Sequence, residues 1–94
     1  MNILTREALE HAETIMSPAM IEGVKRYVEH GIRPGEFMQS CFANDLVNAS
    51  LMADRVNARR LSQIGLWIAT YCPNGSYGSW SAVRQWCDSF RESA

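Results

Sequence analysis

The segment Asn74-Gly-Ser-Tyr-Gly-Ser79 has the composition best suited to holding a ligand. Small residues that lead into a helix can direct backbone N–H groups at an anion, and the helix dipole adds positive potential there. The aromatic rings can stack on a nucleobase. The segment has no Walker lysine, and its glycine spacing matches no dinucleotide fingerprint. The predicted ligand residues here are Ser76, Tyr77, Gly78, Ser79 and Trp80. The alternative is a plain connection in which the glycines supply positive φ.

Arg55 and Arg59 belong to the densest basic run of the chain. They are four residues apart, so they share one face of a helix. With Gln63 they form a polar strip that can bind a phosphate or an acidic partner surface. We expect the two arginines to hold the charge of a ligand whose ring stacks in the glycine/serine segment. The alternative is a solvated helix face with ion pairs to Asp54 or to glutamates.

Neither a catalytic site nor a metal site is predicted from the residue spacing. His11 and His30 are far apart in the chain, and no Cys-x-x-Cys or His-x-x-x-His pair is present. His30, beside Gly31, is explained as a cation at the end of a helix. The cysteines, which we expect to be buried and reduced, are Cys41, Cys72 and Cys87. The sequence therefore predicts a non-enzymatic protein without a cofactor.

The elements that must position these residues are all predicted to be helices. Helix-capping residues and amphipathic spacing recur along the chain, and Gly31 is typical of the residue that follows the end of a helix. No segment shows the alternation of apolar and polar residues that is typical of strands. We predict a single all-α domain over residues 1–94 with about five short helices. Residues 1–16 are expected to form a loosely packed arm. The predicted helix starts are Thr5, Ser17-Pro18, Pro34, Asp45, Asp54 and Ser79; the predicted breaks are Gly31–Pro34, Asn44, Asp54 and Pro73–Ser79.

Two of these helices carry specific expectations for burial. A short helix over residues 45–53 is expected to bury Leu46, Ala49, Ser50 and Ala53. In the longest helix, from Arg55 towards Tyr71, Val56 is expected on the buried face, with Trp67 at its border. The small residues of the short helix should allow close packing against its neighbours.

Composition limits the possible partners. The chain has 94 residues, 47% of them hydrophobic, with a net charge of −1, and its isoelectric point is about 6.1. This balance argues against binding duplex nucleic acid. The longest apolar run is too short to cross a bilayer, and no secretory signal is recognisable, so we expect a cytoplasmic protein. Nine aromatic residues and five methionines are a heavy apolar load, which favours a homo-oligomer.

A longer pattern resembles a family of small proteins common in phages and prophages. It covers about residues 24–90 and departs from the family at Arg33, where proline is frequent, and at Glu36, where glycine is frequent. The resemblance implies an accessory role in host or counter-defence processes, in the host cytoplasm. The matching residues are Arg26-Tyr-Val-Glu-His-Gly-Ile-Arg-Pro-Gly-Glu-Phe37, Asn44-Asp-Leu46, Ala53-Asp54, Asn57, Trp67, Pro73, Gly78-Ser79 and Trp86.

Together these features predict a phage accessory protein that acts by binding. The most concrete hypothesis is a homo-oligomer that sequesters a phosphate-bearing ligand, such as a nucleotide immune signal of the host. One alternative is a protein-binding inhibitor or adaptor of a host defence complex, acting through an exposed aromatic patch. Another is a small virion or assembly component.

Overall fold

The computed structural model describes residues 3–92, which form six helices and no strand. The all-α prediction is confirmed, and the predicted breaks lie where helices end and begin. The structure has six helices where about five were predicted, and the helix start predicted at Thr5 is confirmed. The helices are α1 (Arg6–Glu13), α2 (Pro18–His30), α3 (Glu36–Phe42), α4 (Leu46–Met52), α5 (Arg55–Tyr71) and α6 (Trp80–Glu92).

Side-chain caps explain where most of these helices begin. Each cap oxygen accepts a hydrogen bond from a backbone N–H three residues later, which satisfies a group that the helix leaves unpaired. The capping residues are Thr5, Ser17, Asp45, Asp54 and Ser79. Helix α3 differs, because its N-cap is Gly35 without a side-chain bond. The prediction of Pro34 as its first helical residue is therefore wrong by two positions.

The break after α2 depends on Gly31. This residue is left-handed, with φ of 68°, and its N–H donates to carbonyls at the end of α2. A Cβ atom at this position would lie 2.5 Å from Cδ1 of Phe90 in α6. Glycine is thus required both for the backbone conformation and for the close approach of α6.

The core is centred on Tyr27, which joins several elements. Its ring is fully buried and lies 4.6 Å from that of Phe42, centroid to centroid. Its hydroxyl donates to the carbonyl oxygen of Ser76 at 2.6 Å, and its own carbonyl accepts the Nε1–H of Trp86 at 3.0 Å. Burial raises the pKa of the Tyr27 phenol, which keeps it neutral and able to donate. One residue therefore connects α2 with α3, α6 and the segment before α6.

The N-terminal segment is packed against the core, contrary to the expectation of a loose arm. Over residues 3–16, Leu4, Ala8 and Ala12 are almost completely buried. Trp67 is 1% exposed instead of lying at a border, and its Nε1–H donates to the carbonyl of Ala8 at 2.9 Å. This bond and the small size of the alanines allow α1 to lie close to α5.

The expectations for Leu46, Ser50 and Val56 are wrong, whereas Ala49 is buried as predicted. Leu46 is 66% exposed on α4, and Val56 is 53% exposed on α5. Helix α4 packs mainly on α3 and buries Ala49 in that contact. A helix of seven residues offers only two turns, so contact through the small residue leaves its larger apolar side chains outside.

Tyr27→Phe should lower the free energy of unfolding by about 1–3 kcal/mol, because the buried Ser76 carbonyl loses its phenol donor. Urea denaturation followed by circular dichroism measures this change. Tyr71→Phe is the matched control: its hydroxyl is 3.4 Å from His11 Nδ1 in an exposed contact, and its loss should cost less than about 0.5 kcal/mol. Equal losses of unfolding free energy in the two variants would contradict the conclusion that the buried hydrogen bond of Tyr27 stabilises the fold.

Candidate functional site: a groove beside Gly65

The candidate site is a groove formed by the α3–α4 corner, α5 and the segment before α6. It consists of two adjoining cavities of about 100 and 260 Å³ that share Cys41, Asn44 and Gly65. We call these two cavities together the groove. The smaller cavity is further lined by Ser40, Asp45, Leu46 and Leu61, and the larger by Phe42, Ile68, Ala69, Tyr77 and Gly78.

Asn44 lies at the corner between α3 and α4 and lines both cavities of the groove. Its φ of 58° makes it the one left-handed residue other than glycine in the described range 3–92. Asparagine tolerates this conformation better than most residues do, and strained positions of this kind tend to occur at functional sites. The next residue, Asp45, donates its N–H to the carbonyl of Ser40 at 2.9 Å. The corner is thereby fixed with Asn44 at the centre of the groove wall.

Gly65 keeps the groove open from the side of α5. It lies in the interior of a 17-residue helix, and no heavy atom outside its local backbone lies within 4 Å of where its Cβ would be. Neither packing nor a positive φ requires glycine here, although glycine in a helix costs about 1 kcal/mol relative to alanine. Because Gly65 lines both cavities, its missing side chain leaves space in the groove.

The centre of the groove carries no charge. Burial raises the pKa of the Cys41 thiol to about 12, so the thiol stays protonated. Asn44 adds an amide to the lining and Tyr77 adds a phenol ring. The one carboxylate on the lining is Asp45, at the end of the smaller cavity; hydrogen bonds from Trp80 Nε1–H and the Asn48 N–H lower its pKa. This lining suits an apolar or aromatic group that also offers a hydrogen-bonding edge.

The glycine/serine segment acts mainly as a connection. Ser76 is fully buried, its N–H donates to Pro73 O at 3.1 Å, and its carbonyl accepts the Tyr27 hydroxyl. The Gly78 N–H donates to Phe42 O at 2.8 Å. Ser79 caps α6. The N–H groups of Ser76 and Gly78 therefore already have partners inside the protein. The positive φ proposed for Gly75 and Gly78 in the alternative is confirmed, at 96° and 125°.

The two predicted stacking residues have different surroundings. Tyr77 lines the larger cavity and is partly buried. Trp80 is 39% exposed, and its Nε1–H donates to Asp45 Oδ2 at 2.9 Å. This bond attaches the indole to the start of α4, so Trp80 belongs to the rim of the groove.

Arg55 and Arg59 do not line the groove. Both are exposed in the first two turns of α5, whereas the groove reaches α5 between Leu61 and Ala69. At 1.5 Å per residue, Arg55 lies about 15 Å from Gly65 along the helix. The two arginines and the predicted residues Tyr77 and Gly78 therefore do not line one common cavity.

An exposed apolar face on α4, which sequence reasoning missed, adjoins the groove. Leu46 is shared by both features, and Val47 and Leu51 are 72% and 73% exposed. The seven residues of α4 include no charged side chain. That lack of charge is the signal in the sequence, because a solvent-facing helix normally carries charged or polar residues along its outer face. We call Leu46, Val47, Leu51 and Met52 the α4 face.

Comparison of the chain with protein-family models, curated proteins and solved structures finds no match. The resemblance to small phage proteins therefore stays a prediction. Among residues 3–92, no helix is long and apolar enough to cross a bilayer. The same residues bring together no group of three or more potential metal ligands of the His, Cys, Asp and Glu types.

Gly65→Ala should raise the free energy of unfolding by about 0.5–1 kcal/mol, because alanine favours the helix and its methyl group meets open space. Thermal denaturation at low protein concentration measures this change. Gly31→Ala is the contrasting variant and should destabilise the protein, since it combines a positive φ with a clash against Phe90. A destabilised Gly65→Ala protein would mean that Gly65 has a packing role.

The thiols should react slowly in the folded protein. Burial raises the pKa of Cys41 and of Cys72 to about 12, and only the thiolate is nucleophilic. At pH 8 we expect alkylation by iodoacetamide at least about 100-fold slower than for the urea-unfolded chain. Mass spectrometry over time gives the rates. One thiol that reacts as fast as in the unfolded chain would reveal an activated cysteine and contradict this expectation.

Proposed function

We propose that this chain is a non-enzymatic accessory protein that acts by binding another protein chain. The binding surface consists of the α4 face and the adjoining groove. The observation that carries the proposal is the exposure of four large apolar side chains on one uncharged helix of seven residues. Soluble proteins expose such contiguous patches mainly where another molecule covers them.

The groove adds a recess to this surface. Interfaces between proteins derive much of their binding energy from a few large side chains that fill desolvated recesses. The neutral lining around Cys41, Asn44 and Gly65 can accept an apolar side chain without leaving a charge buried. Trp80, at the rim, is a residue type enriched at interfaces. The recess and the exposed helix therefore support one binding surface.

The resemblance to small phage proteins supplies the setting of the proposal. In that setting, a binding protein serves as an inhibitor or adaptor of a host defence complex, or as an assembly component. The non-enzymatic role is supported by the raised thiol pKa values and by the dispersed histidines: His11 lies on α1 and His30 at the end of α2.

Nucleotide sequestration is the second candidate, and the larger cavity favours it. Tyr77 and Asn44 line that cavity, so a base can contact a ring and an amide edge there. The lining provides no cation for the phosphate, and we therefore rank nucleotide sequestration below protein binding as the proposed function. Calorimetry with cyclic and linear nucleotides tests it. Heat that is observed with the wild type and lost in Gly65→Leu, a variant that fills the groove, would favour this function over protein binding.

Site-specific photo-crosslinking tests the proposed surface. A photoreactive phenylalanine analogue at Val47 should form crosslinks to protein in phage-infected cells, because Val47 is 72% exposed on the α4 face. The same analogue at Glu7, which is exposed on α1, serves as the control and should give at most about a tenth of the yield. Introducing Leu51→Asp into the Val47 variant should remove the crosslinks, since it places a charge on the face.

Crosslink yields that are equal at the two positions, or that persist with Leu51→Asp, would contradict the proposal. Circular dichroism and thermal melting of the purified variants establish that each remains folded. Because Leu51 is 73% exposed, its replacement should leave the fold intact.

A further inference from the structure

A cavity between the end of α2 and α6 collects positive charge. It has a volume of about 470 Å³, and we call it the basic cavity. Its polar side chains come from three parts of the chain: His30 ends α2, Arg33 lies in the next segment, and Arg91 lies in the last turn of α6. Burial raises the pKa of the Cys87 thiol in the same lining, while the charges of Arg33 and Arg91 lower it. Both guanidinium groups therefore lie near one point.

The two arginines keep their charge available to another molecule. Within the part of the chain whose side chains are described, no ion pair involves Arg33, and its Nη1–H donates to the neutral amide oxygen of Gln39 at 3.2 Å. Arg91 lies 3.9 Å from Asp88, but both side chains are half exposed or more, and such pairs contribute little. Because a guanidinium has five N–H donors, each arginine can still bind a carboxylate.

No carboxylate belongs to the lining of the basic cavity. Two glutamates that are close in sequence have other surroundings. Glu29 Oε2 accepts a hydrogen bond from the N–H of Leu4 at 3.4 Å, and Glu36 lines a separate cavity with Arg26. The lining is therefore positive, although the chain as a whole has a net charge of −1.

The rest of the lining is apolar, and its aromatic ring is held in place. The Phe90 ring lies against Gly31, where a Cβ atom would be 2.5 Å from its Cδ1, and its centroid is 5.5 Å from that of Trp86. Ile32 is 53% exposed beside it. A fixed ring next to an exposed aliphatic side chain offers a preorganised apolar contact.

This arrangement favours a protein segment as the occupant. Interfaces between proteins have an apolar centre and a polar rim, and opposite charges on facing rims set the register. A small-molecule pocket encloses roughly 70–90% of its ligand, whereas Ile32, Arg33 and Arg91 leave this cavity exposed. Two arginines are also fewer than the about four to eight basic residues that recognise a lipid surface. A second copy bound through its α4 face would bring no carboxylate to the rim.

We propose that the basic cavity is a second docking surface, which binds an acidic segment of another protein with one large apolar side chain against Ile32 and Phe90. Carboxylates on either side of that side chain bind Arg33 and Arg91. His30 adds an imidazole that can donate a hydrogen bond in either protonation state. The inference goes beyond the proposed function and does not rest on it, because the cavity shares no residue with the α4 face or the groove. A chain with both surfaces can hold two partners, as an adaptor does.

Selection from a random library of short yeast-displayed peptides against the full chain tests the occupant. Enriched peptides should carry a large apolar residue with Asp or Glu on both sides. In calorimetry with the synthetic peptides, the double change Arg33→Glu and Arg91→Glu should raise Kd at least about 30-fold. Ile32→Ser should raise it at least about fivefold. The matched control, Arg55→Glu with Arg59→Glu, makes the same change of net charge on an exposed part of α5 and should leave Kd within about twofold.

Exchange of the charges separates recognition from loss of structure. Replacing the acidic residues of the same peptides by lysine should abolish binding to the wild type. The lysine peptides should bind the variant with Arg33→Glu and Arg91→Glu within about tenfold of the original Kd. A variant that had merely lost its fold could not gain this binding, and circular dichroism checks the fold directly.

Several results would overturn the second docking surface. They are a selection that enriches no peptide, enriched peptides without acidic residues, and equal effects of the two double changes. Inorganic phosphate that bound as tightly as the peptides would also overturn it, because the apolar lining would then contribute nothing. The photo-crosslinks from Val47 report on the α4 face alone, so the proposed function stands or fails separately.

Discussion

The buried hydrogen bond from the Tyr27 hydroxyl to the Ser76 carbonyl is the constraint on which the rest of the structure depends. It joins residues 49 positions apart and holds the segment before α6 against α2. The same segment is fixed to α3 by the bond from the Gly78 N–H to Phe42 O. A carbonyl buried this deeply is costly to leave without a donor, so the segment has little freedom. One wall of the groove is placed by this interaction.

Local preferences and the global fold disagree at one surface of the molecule. Asn44 is left-handed, Gly65 weakens a long helix, and the α4 face stays in contact with solvent. Each feature is unfavourable for the isolated chain, whereas helices α1, α2 and α6 have side-chain caps and amphipathic faces. Sites that break local rules without a structural benefit tend to be those under functional constraint. The three departures adjoin one another, which is why we place the binding surface there.

Much of the fold could be predicted from the sequence, whereas less of the site could. The caps at Ser17, Asp54 and Ser79 identify helix starts through bonds that span three residues. Tyr77 and Gly78, which the sequence predicts as ligand residues of a different site, both line the larger cavity. The predicted grouping of the arginines with the glycine/serine segment rests on composition alone. The distance between Arg55 and the groove cannot be predicted from composition, because it depends on how α5 packs against its neighbours.

The sequence by itself determined the helices, their breaks and the left-handed glycine after α2, because these depend on hydrogen bonds and dihedral preferences within a few residues. Only the tertiary structure decided the burial of certain individual side chains. It buried Trp67 through a bond to Ala8, enclosed Ser76 beneath Tyr27, and left Leu51 in solvent. The physical reason is that burial depends on which partner comes within contact distance. For α4 the contact passes through Ala49, so its large apolar residues remain available to another chain.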